Sequence, residues 1–250
     1  MSDDAIKSAA RTLRVFEFFD RVERSAGVLE IAETLDIPRS SAAALISALV
    51  QAGYLSHDRA SRSYMPTMKL AQVGRWVEAA LLGRDRSTLV PLLHEVAREV
   101  DETVVLGVQD DLFVQYVHVE LAQRPVMYFQ RAGARRPMCR SATGWALLTF
   151  LGDDDVAEMV RRHNEHADDK RVAEAEVLKR VREARKQGYA LSLGGFLPGV
   201  AMLAMPLASS DGERRYALGV GGPEDRIRGK QAAIAKALRA CAKSFVKRSA

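Results

Sequence analysis

Four groups of side chains in this sequence have types and spacings from which chemistry can be built. Cys139 could act as a nucleophile beside a base, and His118 is the candidate base, although no spacing pairs the two. His163 and His166, in HNEH, have the i, i+3 spacing of two metal ligands. No carboxylate pattern or third ligand accompanies them, so an exposed helix end is the better reading. The run GVGG at residues 219–222 follows a strand but opens no helix, because Pro223 comes at once, so it lacks the form of a dinucleotide-binding turn. The fourth group is Arg39-Ser40-Ser41, where serine hydroxyls, one cation and the free amides of a helix start could hold phosphates. No catalytic residue, metal ligand or cofactor is expected from these patterns.

The elements that must position the fourth group are legible in the apolar spacing. Residues 6–22 read as an amphipathic helix with Ala9, Leu13, Phe16 and Phe19, joined by Val15 and Val22, on one face and Arg11, Arg14 and Arg21 elsewhere. RSAGV is a turn, and residues 29–35 form a short helix burying Ile31, Ala32 and Leu35. DIP then breaks the chain, since the residue before a proline disfavours helix and proline suits the first turn of the next one. That next helix buries Ala42, Leu45, Ile46 and Leu49 and stops at Gly53. Tyr54-Leu55 and residues 62–65 are expected as short strands around a polar turn at 57–60. Three helices followed by such a ribbon make a winged helix-turn-helix.

In that setting Arg39, Ser40, Ser41, Ala43, Ala44 and Ser47 are the candidate DNA contacts, the alanines approaching thymine methyls instead of forming hydrogen bonds. The plainer alternative is that the serines satisfy the helix start and the alanines pack. Arg59, Ser61 and Arg62 of the wing could reach phosphates or the minor groove, or could be a solvated hairpin tip. Arg11 and Arg14 could touch the DNA backbone or simply face solvent. Charge favours the DNA reading. Residues 1–36 hold five Lys/Arg against eight Asp/Glu, whereas residues 37–75 hold Arg39, Arg59, Arg62, Lys69 and Arg75 against Asp58 alone.

The remaining chain has a different texture. A helix from Met68 to about Leu82, carrying Leu70, Val73, Trp76 and Val77, leads to the polar GRDRS, the expected domain boundary. Helix 89–100 precedes two strands within 103–119 joined at Asp110-Asp111, a third strand at 126–133, helices at 141–150, 153–163 and 172–187, strands at 201–206 and 216–221, and a basic helix over 230–247. The whole is therefore expected to be α+β with a mostly antiparallel sheet. The last helix has Ile234, Leu238, Cys241 and Phe245 in one stripe, so the eight Lys/Arg from Arg226 onward read as an outer face. With 250 residues and 48% hydrophobic content, two domains are expected. Two distant cysteines, no apolar run long enough to span a bilayer and an acidic opening MSDDAIK point to a cytoplasmic protein without disulfides or membrane.

Both halves resemble the IclR-type bacterial transcriptional regulators. The first matches through IAETLDIPRSSAAALISALVQAGYL, HDRASRSYMPT and LAQVGRWV. The second matches through GARRPMCRSATGWALL, VREARKQGYALSLGGFLPGVAMLAMPL and RRYALGVGGPEDRI. The resemblance covers nearly all of residues 6–246. It implies a winged helix-turn-helix at residues 1–67, a linker helix at 68–86 and a GAF/PAS-like effector-binding domain at 87–250. It also implies double-stranded operator DNA as partner, a homodimer or homotetramer, and control by a small-molecule effector such as an organic or aromatic acid. Candidate effector contacts are Cys139, Arg140, Ser141 and Ala142 at a helix start, with Met127, Phe129, Phe196 and Met202 as walls or as plain core. In the family Cys139 stands where His is frequent, Trp145 where Lys is frequent and Met202 where Cys is common. Two other classes stay open on the residues alone. One is an enzyme built on the second half, which would need a nucleophile or an acid–base pair. The other is a pure protein-interaction module.

Overall fold

Alternation and helical spacing settle the layout of two compact units, Met1–Val77 and Glu78–Ala250, in the computed structural model of this chain. The structure describes residues 3–166, 171–209 and 211–249. In the first unit, α1 (Asp3–Val22), α2 (Val28–Leu35) and α3 (Arg39–Gln51) are followed by the ribbon β1 (Leu55–Asp58) and β2 (Ser63–Pro66) and by α4 (Met68–Gly74). Val15, Phe18, Phe19, Ile31, Leu35, Ile46, Leu49 and Leu55 form its core. The stripe expected on α1 is displaced. Positions 15, 18, 19 and 22 carry the i, i+3, i+4, i+7 spacing that faces the core, while Ala9 is exposed and Leu13 is 62% exposed.

Between α2 and α3 the chain turns at Asp36, whose φ of 51° is left-handed. The Asp36 amide donates to the Glu33 carbonyl and that of Ile37 to the Ala32 carbonyl, closing α2 as a glycine commonly would. Arg14 Nη2 donates to the Leu35 carbonyl at 2.7 Å, so this guanidinium fastens α1 to the end of α2. The ribbon's turn lies at residues 59–62, two residues later than the spacing suggests, and Ala26 bridges Tyr64 as a short third strand.

The single linker helix expected over 68–86 is instead α4 and α5 (Val77–Leu82), separated by a turn at Arg75 and Trp76 and followed by a 3-10 turn at Gly83–Asp85. Gly74 weakens a helix interior, and no residue of α4 is buried to offset that cost. GRDRS is not a free boundary either. Asp85 is buried and accepts a 2.7 Å hydrogen bond from the Tyr216 hydroxyl, which draws this segment into the second unit.

The second unit is one six-stranded antiparallel sheet in the order β5-β4-β3-β8-β7-β6. The strands are β3 (Thr103–Asp110), β4 (Phe113–Glu120), β5 (Arg135–Pro137), β6 (Ala190–Leu193), β7 (Val200–Ala208) and β8 (Arg215–Pro223). One face, with Leu106, Leu203 and Leu218, packs on α6 (Arg86–Val100) and α10 (Glu224–Ser249). The other, with Val105, Tyr116, Met202 and Ala217, packs on α7 (Ala142–Leu148), α8 (Asp153–Glu165) and α9 (Glu174–Gln187). The strand expected at 126–133 is absent. That segment forms no ladder, and Tyr128 instead lies over Gly221, where a Cβ would meet its ring at 2.7 Å. A strand at 190–193 takes a place that the spacing had left as loop.

Glu102, at the head of β3, is fully buried and bridges to α10. Arg226 Nε and Nη2 both donate to it at 2.8 Å, and Lys230 Nζ at 3.1 Å. Burial works against its charge, but the hydrogen bonds from Arg226 and Lys230 outweigh that and hold its carboxyl below the ordinary range. With the folded pKa depressed, this contribution is complete above the ordinary carboxylate pKa and disappears as pH falls through the lowered value. Glu102→Ala is expected to cost about 3 kcal/mol in urea unfolding at pH 7, the lower end for removing one partner of a buried ion pair. The lower end applies because Arg226 and Lys230, 27% and 33% exposed, regain water. Unchanged stability would refute a structural role for this bridge.

Candidate nucleic-acid interface and ligand cavity

Helix α3 carries two sides. Ala42, Ile46 and Leu49 are buried, while Ser40, Ala43, Ala44, Ser47 and Gln51 recur at three- and four-residue spacing on the exposed side. Pro38 precedes its first turn and no side chain caps it. Ser40 and Ser41 therefore do not serve as caps, and the first-turn amides have no side-chain acceptor. Arg39 is exposed, Ser41 half-buried, and the whole exposed side is narrow and uncharged beyond Arg39. At the other end, Lys69 Nζ donates to the Ala52 carbonyl at 2.8 Å and lies 4.7 Å from the Tyr54 ring centre. One of the five cations counted toward this region is thus engaged in closing α3.

The wing is built around Asp58. Its two carboxylate oxygens accept the Ala60 amide (2.9 Å) and the Ser61 hydroxyl (2.6 Å), and these hydrogen bonds hold its pKa down. Arg62 takes a left-handed φ of 53°, and His57 stacks on Tyr64 at 4.5 Å. Ser61 has its only proton on Asp58, so its part is to shape the turn and not to donate to a phosphate. Arg59 and Arg62 are exposed at the tip and form no ion pair with described residues.

In the second unit a cavity of about 30 Å³ opens on the Met202 face of the sheet. Ser141, Ala142, Phe196 and Met202, expected there, line it together with Tyr116, Tyr128, Arg136, Thr143, Ser192, Leu197 and Val200. Gly219 and Gly221 lie against Met202, one of its walls: a Cβ on either would strike that side chain at 2.7–2.8 Å. In GVGG these two glycines serve close packing under Met202, whereas Gly222 makes room for Glu102 on the other face.

The start of α7 is less open than expected. Ser141 Oγ donates to the Pro137 carbonyl (2.9 Å) and accepts from the Gly144 amide (3.1 Å) and the Thr143 hydroxyl (3.3 Å). Its hydroxyl is saturated as the helix cap. Cys139 and Arg140 line a neighbouring cavity of about 290 Å³ with Trp145, Glu176 and Arg180. Met127 and Phe129 line neither, and Phe129 is 52% exposed beside Arg131. Arg136 is the residue missed, though strand alternation could have found it. It faces Val114 across β4–β5, on the same side as the cavity, whereas Arg135 faces away and pairs with Asp110.

Among the described residues, none supports covalent chemistry at Cys139. Burial raises its thiol pKa to about 12, and His118 is engaged with Glu120 at 2.8 Å. His163 is buried, while exposed His166 lies 2.9 Å from the Arg162 carbonyl, and no metal-binding group of three occurs among the described residues.

A winged helix-turn-helix followed by an α+β unit is the architecture of a DNA-binding regulator. Residues 8–59 match the IclR helix-turn-helix domain, and residues 86–246 match the C-terminal domain of the bacterial transcriptional regulator IclR. The chain belongs to the IclR family of transcriptional regulators, whose members are not enzymes. It is similar to the transcriptional repressor IclR of Escherichia coli (strain K12), with 23% identity over 236 residues covering 89% of this chain and 82% of that one. The glycerol operon regulatory protein of Streptomyces griseus is 27% identical over 226 residues, covering 89% and 87%. In fold it is similar to the crystal structure of the Thermotoga maritima IclR, with a TM-score of 0.74 at 19% identity over 97% of this chain and 98% of that one. No helix among the described residues is long and apolar enough to cross a membrane.

Proposed function

We propose that this regulator reads a pseudo-palindromic operator as a dimer, with α3 in the major groove and the wing's Arg59 and Arg62 on the flanking backbone or minor groove. The observation that carries this is the exposed side of α3, where Ser40, Ala43, Ala44 and Ser47 leave room for close approach beside Arg39. One small helix reads too few base pairs alone, so two copies are required. Residues 1–67 supply the reading, residues 87–250 the sensing, and the segment 68–86 between them exposes Val73, Trp76 and Val77 for pairing of copies. A homodimer or a homotetramer fits this arrangement. The effector is a small organic or aromatic acid held in the Met202-side cavity, which shifts DNA affinity by favouring one placement of the reading heads.

Fluorescence anisotropy on the gene's own upstream DNA tests the interface. Arg39→Ala is expected to weaken binding about tenfold and to lower the slope of log affinity against log salt by about one. An unchanged slope would remove Arg39 from the phosphate contacts.

A further inference from the structure

Arg136 is surrounded by partners of the wrong charge to satisfy it. Its Nη2 donates to the Tyr128 hydroxyl at 3.3 Å and to Gln130 Oε1, and Nη1 donates to the Arg135 carbonyl at 2.8 Å. All three acceptors are neutral. No carboxylate among the described residues pairs with it, and no acidic residue lines the cavity it borders. Its Nε is buried without any hydrogen-bond partner. A buried guanidinium N–H with no acceptor is rare in native proteins and calls for an explanation. The guanidinium lies between two rings, 5.5 Å from the Tyr116 centre and 5.1 Å from that of Phe196. Phe196 belongs to the segment between Gly194 and Gly199, both in left-handed backbone, and is 37% exposed.

We infer that Arg136, and not Arg140 or the start of α7, is the anchor for the effector's carboxylate. This rests on the reading of the cavity as the effector site. A carboxylate supplies the missing charge and an acceptor for Nε, and its second oxygen completes the fork by replacing the long Tyr128 hydrogen bond at Nη2. The cavity of about 30 Å³ has room for such a head group alone. The body of the ligand must take the space now held by Phe196 and Leu197, so binding displaces the 194–199 segment. The walls around that space are Tyr116, Tyr128, Val200 and Met202, which select a flat or apolar body. Arg136 is the one cation in the cavity's present lining, and Arg140 lies 5.9 Å from the Phe196 ring centre, so the class is a compact carboxylic acid.

The test uses the full-length protein and two matched probe series, benzoate and phenylacetate against benzamide and phenylacetamide, read by calorimetry and thermal shift at pH 7. The acids are expected to bind and to raise the melting temperature, with the amides at least about tenfold weaker. Arg136→Gln is expected to lose at least about tenfold in acid affinity and to narrow or reverse the acid–amide preference, while still melting in one cooperative transition that shows it folded. Arg140→Gln should bind like the parent. Acid affinity unchanged in Arg136→Gln, or lost equally in Arg140→Gln, would overturn the assignment. Amides binding as tightly as acids would overturn the carboxylate anchor while leaving the effector site standing. Absence of binding in both series at millimolar concentration would overturn both.

Discussion

Ala44→Glu is expected to abolish specific operator binding, by a factor of at least about one hundred, without harming the fold. Ala44 lies on the exposed side of α3, between Ser40 and Ser47, where the helix has no other bulky group. In the groove a carboxylate there meets base edges and phosphates at close range. Like-charge juxtaposition costs several kcal/mol, and each 1.4 kcal/mol is tenfold in affinity. The buried side of α3, Ala42, Ile46 and Leu49, is untouched, and glutamate is a good helix former, so the melting temperature should stay close to that of the parent. Anisotropy and thermal melting on the same preparation separate the two effects. Operator affinity within threefold of the parent would place α3 outside the groove.

The second large effect concerns the unit that holds the cavity. Gly144→Ala should destabilise it by about 3 kcal/mol, the upper end for overpacking. A Cβ at Gly144 would collide with the backbone of Met138, 2.6 Å from both its carbonyl carbon and its Cα and closer still to the carbonyl oxygen. Met138 is 1% exposed and sits in the turn that Ser141 caps, so neither side yields cheaply. The cap from Ser141 to the Gly144 amide would be strained as well. For a unit of this size the loss lowers the melting temperature by about 6–12 °C. Gly229→Ala is the contrast. Gly229 is exposed in α10 with nothing within 4 Å of its missing Cβ, so the same change there should stabilise by up to about 1 kcal/mol. Equal effects at the two positions would show that the Met138 contact does not govern α7.

What could be read from sequence was local. Ile31, Leu35, Ala42, Ile46 and Leu49 declare the helical pair through spacing alone, because one helix face fixes which residues are buried. The last helix declared its stripe in the same way, and Ile234, Leu238, Cys241 and Phe245 are all buried. The errors lie where distant parts of the chain decide. Residues 126–133 have the composition of a strand, but Tyr128 is held over the side-chain-free surface at Gly221, nearly a hundred residues away. The wing's turn moved because Asp58 hydrogen-bonds forward to Ala60 and Ser61, which a propensity for strands does not reveal. In GARRPMCRS, three arginines stand within six residues. Which of them reaches the cavity depends on the pairing of Val114 with Arg136, a register set by the sheet. Ser141 stands at the helix start as its residue type suggests, yet its hydroxyl is consumed there, and the N–H without a partner belongs to Arg136.

DNase I footprinting of the full-length protein over its own upstream region tests the operator reading most directly. Two symmetric half-sites, spaced by about one helical turn or a multiple of it, should be protected at moderate salt. Protection should vanish for Ala44→Glu. Uniform coverage without half-sites, or the same footprint from Ala44→Glu, would contradict recognition by paired α3 helices.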